Sequence, residues 1–154
     1  MIILCDYDGT VVPRIPDGYC EVDTGAERVL KKLINAGHLI VLWTCRNNSL
    51  TNPWNYINGM LREESSLDEA IRWFTDRDIP LYGVNYVPGE KEKVGKSRKP
   101  LADLIIDDTA LGIPLVWGEV NYVSYITGEV IHKYQTYCVD WMAIEAMLTQ
   151  QKII

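Results

Sequence analysis

The sequence lacks an excess of basic residues: lysine and arginine together number 15 against 21 aspartates and glutamates, a formal net charge of −6. A broad nucleic-acid-binding surface normally needs a basic excess, so the composition argues against one, although a small cationic pocket for a single phosphate is compatible with it. Long hydrophobic runs are also missing. No apolar stretch could span a bilayer, and the N-terminal run ends at Asp6 without the basic flank of a signal peptide. We therefore expect a soluble, cytoplasmic protein with no membrane partner.

Closely spaced cysteine pairs are absent as well. The four cysteines, Cys5, Cys20, Cys45 and Cys138, form no C-x-x-C pair, which disfavours a zinc site and a disulfide framework. Internal repeats and low-complexity tracts are missing too. With 154 residues, 47% of them hydrophobic and 23% charged, the chain has the composition of a globular protein and the size of a single domain, 1–154.

What the sequence does contain is an alternation of strand-like and helix-like segments. Short continuous apolar runs predict buried strands. Two patterns with the spacing of a capping box, Thr24 to Glu27 and Ser66 to Glu69, each begin an apolar helical stripe. Gly37 is placed to end the first helix. The predicted strands cover 2–5, 38–43, 80–86 and 102–106, followed by two short strands in 121–135 and a closing helix over 140–149.

This order of elements predicts an α/β fold, a three-layer α/β/α sandwich around a mainly parallel, Rossmann-like sheet. No segment is long enough for a separate cap domain. Residues 47–65 show no clear element and are expected to be an insertion or a small lid, and 89–99 an exposed loop. Ligands of such sheets bind beyond the carboxyl ends of the strands, which is where the site is expected.

Carboxylates follow two of the predicted strands. Asp6 and Asp8 lie in the run D-Y-D-G-T after the first strand, and Asp107 and Asp108 follow the run L-I-I. Each pattern alone has a plainer interpretation, as an Asx turn or as a helix cap. Together at one sheet edge, however, they would form a cluster too negative to persist without protonation or a cation, and oxygen ligands suit Mg²⁺.

Three other residues are candidates because of where they stand. The hydroxyl of Thr44, at the end of the second strand, could donate to a phosphoryl oxygen. Lys99 could neutralise a carboxylate and an incoming phosphoryl group, although its lysine-rich neighbourhood is equally typical of a solvated charge run. Gly9 allows a tight backbone course that turns amides towards a phosphate.

Taken in order, strand-D-Y-D-G-T, strand-T, K-P and strand-D-D resemble the four motifs of the haloacid dehalogenase (HAD) superfamily. The segments IVLWTCR, SLDEAIRWF and SRKPLADLIIDD are similar to its small cap-less bacterial members. The resemblance runs from residue 2 to about residue 111. It implies a HAD-like fold and a Mg²⁺-dependent phosphohydrolase, a phosphatase that acts through an aspartyl-phosphate.

The resemblance also implies roles for particular residues. Asp6 would be the nucleophile and Asp8 the general acid–base, with Thr44 as the motif-two hydroxyl and Lys99 as the motif-three lysine. Apart from these implied roles, Gly9, Thr10 and Arg46 are candidates for binding the substrate, and Arg14 could also face the site. Mg²⁺ would be held by Asp6, Asp107, Asp108 and the carbonyl of Asp8.

The substrate is left open by these motifs. A cap-less site implies a phosphorylated substrate bulky enough to cover it, or a homo-oligomer, and neither a small nor a polymeric substrate, nucleic acid included, is excluded. Trp54 and Tyr56 in the insertion could stack on a base or sugar, or simply pack the insertion against the body of the protein.

Two other functions stay open beside hydrolysis. A phosphotransferase would use the same residues with an acceptor other than water. A non-catalytic regulatory domain could bind Mg²⁺ and phosphate with this fold, but would have little reason to keep the acids together with Thr44 and Lys99. A receiver domain is disfavoured, because its phosphorylated aspartate would end a middle strand, where Thr44 stands.

Overall fold

The computed structural model describes residues 1–15, 22–48, 56–57, 60–61, 65–89, 100–123 and 129–154. Four strands form one sheet in the order β5-β2-β1-β6, and every neighbouring pair is parallel. Together with three helices they give the predicted α/β architecture with its parallel sheet. The strands are β1 Ile2–Cys5, β2 Leu39–Leu42, β3 Tyr56–Ile57, β4 Met60–Leu61, β5 Leu81–Val84, β6 Leu104–Ile106, β7 Leu115–Val123 and β8 Val130–Val139, and the helices are α1 Ala26–Asn35, α2 Ser66–Thr75 and α3 Trp141–Gln150.

The central strands are buried on both faces, as their continuous apolar runs predict. Alternate residues of β1 enter different clusters: Ile3 and Cys5 belong to the larger hydrophobic core, and Leu4 to a smaller one on the opposite face. All three described helices contribute to the larger core, for example through Leu30 and Phe74. The described helices therefore cover one face of the sheet.

The ends of the first two helices differ from the sequence prediction by one residue at the N-terminus. Gly25, not Thr24, is the N-cap of α1 and makes no side-chain cap bond; the Thr24 hydroxyl donates to the carbonyl of Val11 and accepts from the N–H of Ala26 at 3.3 Å. Ser65, not Ser66, caps α2 by accepting from the N–H of Asp68. The spacing of the pattern alone could not choose between the neighbouring residues at either helix start.

The C-terminal end of α1 is formed as predicted. Gly37 has φ 83° and donates its N–H to the carbonyl of Ile34, while the N–H of His38 reaches the carbonyl of Leu33. This pair of bonds is the Schellman motif, in which a left-handed glycine ends the helix. It turns the chain directly into β2.

A long antiparallel hairpin follows the parallel sheet. Strands β7 and β8 have nine and ten residues and pair from Leu115 with Val139 onwards. The prediction of two short strands in 121–135 was correct in kind but wrong in length. Each strand continues beyond the predicted range, towards the body of the protein, through a run rich in β-branched and aromatic residues.

The predicted insertion is described only in part. Residues 56–57 and 60–61 form a small antiparallel pair, β3 with β4. Trp54 lies outside the described residues, as do 90–99 of the predicted exposed loop. None of the helices in the described ranges has the length and apolar character needed to cross a bilayer.

Candidate functional site

The parallel pairing of β1 with β6 brings three carboxylates together. Cys5 lies opposite Ile106 in the register, so Asp6 and Asp107 leave the sheet side by side. One carboxylate oxygen from each of Asp6, Asp107 and Asp108 lies within 4.8 Å of the other two. We call these three residues the acidic triad; the sequence prediction that both acidic motifs meet at one sheet edge is confirmed for them.

Thr10 connects the two halves of the acidic triad. Its hydroxyl donates to Oδ2 of Asp6 at 3.1 Å and accepts from the backbone N–H of Asp108 at 2.9 Å. Its carbonyl accepts from the indole N–H of Trp141 at 2.8 Å and from the thiol of Cys138 at 3.0 Å. Since Thr10 is fully buried, its groups hold the site together from within.

Gly9 brings the loop after β1 close against Asp108. A Cβ atom at this position would collide with the Asp108 carboxylate, whose Cγ would lie 2.8 Å away, and the glycine also has φ 85°. Its N–H donates to the carbonyl of Val12 at 2.8 Å, and its own carbonyl accepts from the N–H of Val139 at 2.9 Å. Only glycine combines this conformation with this approach.

Burial of the acidic triad changes the protonation of Asp6. Burial, together with the negative charges of Asp107 and Asp8, raises the pKa of Asp6 to about 7, although hydrogen bonds from the Tyr7 backbone and Thr10 act to lower it. Near neutral pH Asp6 alone is thus only partly ionised. A cation at the triad would favour its carboxylate form, because it offsets the neighbouring negative charges.

The described cation nearest to this charge is Arg14. One of its guanidinium nitrogens lies 3.0 Å from Oδ2 of Asp108, whose side chain is 2% exposed. The same nitrogen donates to the hydroxyl of Tyr137 at 3.3 Å. Asp107 accepts from both the N–H and the hydroxyl of Thr109. One guanidinium against three carboxylates leaves the triad negative, and its hard oxygen donors fit Mg²⁺.

Asp8 is held on the other side of the loop by Arg46. The guanidinium makes two hydrogen bonds to Asp8, from Nε to Oδ2 at 2.8 Å and from Nη2 to Oδ1 at 2.6 Å. Nη1 of Arg46 binds Glu69 at 2.8 Å and also donates to the carbonyl of Ser66. The guanidinium lies 4.6 Å from the centre of the Tyr7 ring.

This pairing determines the pKa of Arg46. Burial by itself lowers the pKa of Arg46, but its hydrogen bond to Asp8 and the charges of Asp8 and Glu69 raise it above the ordinary value. Glu69 was missed as a site residue because its spacing from Ser66 made it look like a capping partner. No sequence signal relates Glu69 to Asp8, since what connects them is the guanidinium of Arg46, which binds both.

Thr44 lies two residues after the end of β2, next to Asn85, which directly follows β5. Its N–H donates to Oδ1 of Asn85 at 2.8 Å, and its hydroxyl accepts from the N–H of Arg46 at 3.2 Å. Thr44 thus holds the start of the segment that carries Arg46. Lys99, the predicted motif-three lysine, lies outside the described residues.

No protein-family model matches the chain, and no curated protein sequence matches it significantly. Among solved structures, the chain is similar to one described as the structure of a conserved protein coded by a locus from Bacteroides thetaiotaomicron. The two chains are 29% identical with a TM-score of 0.62, and the match covers 98% of this chain and 91% of the other. The likeness therefore extends over nearly the whole of both chains, and it concerns their common α/β fold.

Proposed function

We propose that this protein is a Mg²⁺-dependent phosphohydrolase whose nucleophile is Asp6. The observation that carries the proposal is the convergence of Asp6, Asp107 and Asp108 at the carboxyl ends of two paired parallel strands. The order of the motifs, which resembles that of the HAD superfamily, adds the expected roles. The finer fold, a three-layer HAD-like sandwich, belongs to the same proposal.

In the proposed reaction an oxygen of Asp6 attacks the phosphorus of a phosphate monoester. The bond from phosphorus to the ester oxygen breaks, and the leaving alcohol takes a proton from Asp8. Water then attacks the phosphorus of the aspartyl-phosphate and gives its proton to Asp8. The bond from phosphorus to the Asp6 oxygen breaks, which releases inorganic phosphate and restores the Asp6 carboxylate. A carboxylate nucleophile divides the hydrolysis into two easier steps.

The surroundings of Asp6 support this assignment. The hydroxyl of Thr10 donates to Oδ2 of Asp6 at 3.1 Å, which holds the carboxylate in place beside Asp107 and Asp108. Asp6, Asp107, Asp108 and the carbonyl of Asp8 would hold Mg²⁺, which would supply positive charge next to the transferred phosphoryl group. Thr44 and Lys99 are proposed to donate to that group. Thr10 is a positioning residue in this scheme, because its hydroxyl is already shared between two strands.

Asp8 has to be released before it can exchange a proton. Both of its oxygens accept from Arg46, so an approaching phosphoryl group must draw at least one guanidinium nitrogen away. Arg46 could then bind a phosphoryl oxygen while Glu69 keeps its other side in place, a geometry that suits a guanidinium. This exchange gives Arg46 the substrate-binding role predicted from the sequence.

The test measures phosphate release from an aryl phosphate with Mg²⁺, with a chelator, and with Asp6→Asn. We expect metal-dependent turnover in the wild type and its loss in the variant. Asp78→Asn, a change of the same size at an exposed position, serves as the control and should keep full activity. Turnover that survives in Asp6→Asn would refute the proposed nucleophile.

Mg²⁺ binding is tested separately by thermal unfolding. A ligand at about 100 times its dissociation constant stabilises the folded state by about 2.7 kcal/mol, so Mg²⁺ should raise the Tm of the wild type. The rise should be lost in Asp107→Asn. An equal rise in both proteins would place the cation elsewhere.

One observation favours a second function, a non-catalytic domain that binds Mg²⁺ and phosphate. The two-point ion pair with Arg46 keeps Asp8 from acting as an acid in the structure described. Such a domain would be stabilised by Mg²⁺ and would show no turnover on a panel of esters. A phosphotransferase would instead show turnover that rises with an added acceptor alcohol.

A further inference from the structure

A cleft of about 620 Å³ lies next to Asp8. It is bounded by α2 and the start of α1 and by the segments 12–15 and 22–24. Asp8 and Arg46 are part of its wall, whereas the members of the acidic triad are not among its described lining residues. Its volume is within the range of small-molecule sites, about 300–1,000 Å³.

Asp8 connects this cleft to the proposed chemistry. In the reaction proposed above, Asp8 gives its proton to the leaving alcohol, so the alcohol must lie on the Asp8 side of the transferred phosphorus. The side chain of Asp8 is 33% exposed and forms part of the cleft wall. The cleft is therefore the space into which the alcohol portion of a substrate would extend.

Charge limits what this space can hold. Its described lining has five carboxylates, those of Asp8, Asp23, Glu27, Glu69 and Asp76, against three guanidinium groups, an excess of two negative charges. A phosphate or carboxylate on the alcohol portion would be repelled by this excess.

The guanidinium groups are also engaged by the protein itself. Arg46 is bound by Asp8 and Glu69. Arg77 lies 3.5 Å from Glu27 and stacks on the ring of Trp73 at 4.4 Å. A second anion would have to compete with these contacts for a cation.

Hydrogen bonding and apolar contact indicate what does fit. Ionised carboxylates only accept, so a ligand that meets Asp23 and Asp76 must donate, as hydroxyl and ammonium groups do. The lining also contains apolar side chains, among them Val12, Ile15 and Val22. A polyol or amino sugar presents donors on its edge and C–H groups on its faces, which suits a lining with both carboxylates and apolar groups.

We propose that this cleft binds the alcohol portion of a phosphate monoester, and that this portion is an uncharged or cationic polyol. The inference rests on the proposed function and adds the substrate class to it. The site would thus select sugar or amino-sugar phosphates over substrates that carry a second anionic group.

The test compares three esters that share one ring and one phosphate: the 1-phosphates of glucosamine, glucose and glucuronic acid. We expect kcat/KM for the first two to be about tenfold higher than for glucuronic acid 1-phosphate, the repulsion expected from a few nearby charges at partial exposure. Equal or better use of glucuronic acid 1-phosphate would overturn the inference and leave the proposed phosphohydrolase intact.

A variant locates the effect in the cleft. Asp76→Asn removes one lining carboxylate and should reduce the glucose-to-glucuronate ratio of kcat/KM about threefold. Asp78→Asn removes a carboxylate that is not among the described lining residues, and should leave the ratio unchanged. A ratio that is unchanged in Asp76→Asn would show that the selection arises outside this cleft.

Failure of the proposed function has a different signature, since no ester would then be hydrolysed. In that event a binding experiment tests whether the cleft takes such a ligand. The indole N–H signal of Trp73, assigned by its loss in Trp73→Phe, should shift with methyl glucosaminide and not with methyl glucuronide. No shift, or a shift with the glucuronide alone, would overturn the inference.

Discussion

Gly9 and Gly37 have nearly the same backbone conformation and differ in what a side chain would meet. Their φ angles are 85° and 83°, but a Cβ on Gly9 would collide with Asp108, whereas a Cβ on Gly37 would have nothing within 4 Å. We expect Gly9→Ala to lower the free energy of unfolding by about 3 kcal/mol, because the left-handed conformation costs about 1 kcal/mol and Asp108 must also move. Urea unfolding measures it.

Gly37→Ala is the matched control for this change. Its cost should be limited to the backbone conformation, about 1 kcal/mol. Because Asp108 moves only in the Gly9 variant, Mg²⁺ stabilisation should be weakened by Gly9→Ala and kept by Gly37→Ala. Equal effects of the two substitutions would show that the approach of Gly9 to Asp108 is not needed.

Arg46 forms ion pairs with two carboxylates, those of Asp8 and Glu69. Its side chain is 15% exposed, that of Glu69 17% and that of Asp8 33%. Arg46→Met keeps the length of the side chain and removes its charge, so we expect a loss of about 2 kcal/mol in the free energy of unfolding, because two partly buried carboxylates lose their cation. Chemical denaturation checks it.

Two further variants show whether charge is the cause. Adding Glu69→Gln to Arg46→Met should recover part of the loss, since one of the two carboxylates that lost the guanidinium is then removed. Arg28→Met, at a half-exposed ion pair with Glu145, should change stability little. If the double variant is less stable than Arg46→Met alone, the loss comes from packing instead of charge.

The candidate site could be predicted from the sequence where it depends on neighbours in the chain. Asp6, Asp107 and Asp108 each follow a recognisable buried strand, and parallel strands end at one edge of a sheet, so their meeting was predictable. The partnership of Asp8 with Arg46 was not. It depends on how the segment after β2 returns over the loop after β1, and no periodic pattern encodes that path.

Helix α3 connects the C-terminal part of the chain to the candidate site. Its N-cap, Asp140, accepts from the N–H groups of Met142 and Ala143, and the next residue, Trp141, donates its indole N–H to Thr10. Asp140→Ala should cost about 1 kcal/mol of stability, because two N–H groups at the helix start lose their acceptor. Urea unfolding measures the loss.

Hydrogen exchange at Trp141 provides a local test of the same prediction. As the first turn of α3 loosens, the indole N–H of Trp141 should exchange faster with solvent in Asp140→Ala. Asp140→Asn retains a side-chain acceptor and should stay within a few tenths of a kcal/mol of the wild type. Unchanged exchange in the alanine variant would mean that Thr10 holds Trp141 independently of the cap.

The strands of the parallel sheet were predictable because each is a short continuous apolar run. The hairpin was predicted less well. Val116 and Trp117 are neighbours in β7 and are both exposed, 52% and 69%, so this part of the strand lacks the alternation of buried and exposed residues that makes a strand easy to recognise. Its length is set by pairing with β8, which the sequence of either strand alone does not reveal.

The two sheets have different roles in the whole molecule. The parallel sheet and the described helices bury the core, and its strand ends bear the acidic triad. The hairpin pairs along its length with itself and meets the rest of the protein at its base, where Val139 bonds to Gly9. The base of the hairpin therefore forms a support beneath the loop that carries Asp6 and Asp8.

This support has a consequence for synthesis on the ribosome. The loop with Gly9 and Thr10 is made before Trp141, which binds the Thr10 carbonyl and is separated from it by 131 residues. At about 5–20 residues per second, the nascent loop waits on the order of ten seconds for that partner. The acidic motif after β1 can thus reach its final shape only after the start of α3 has been translated.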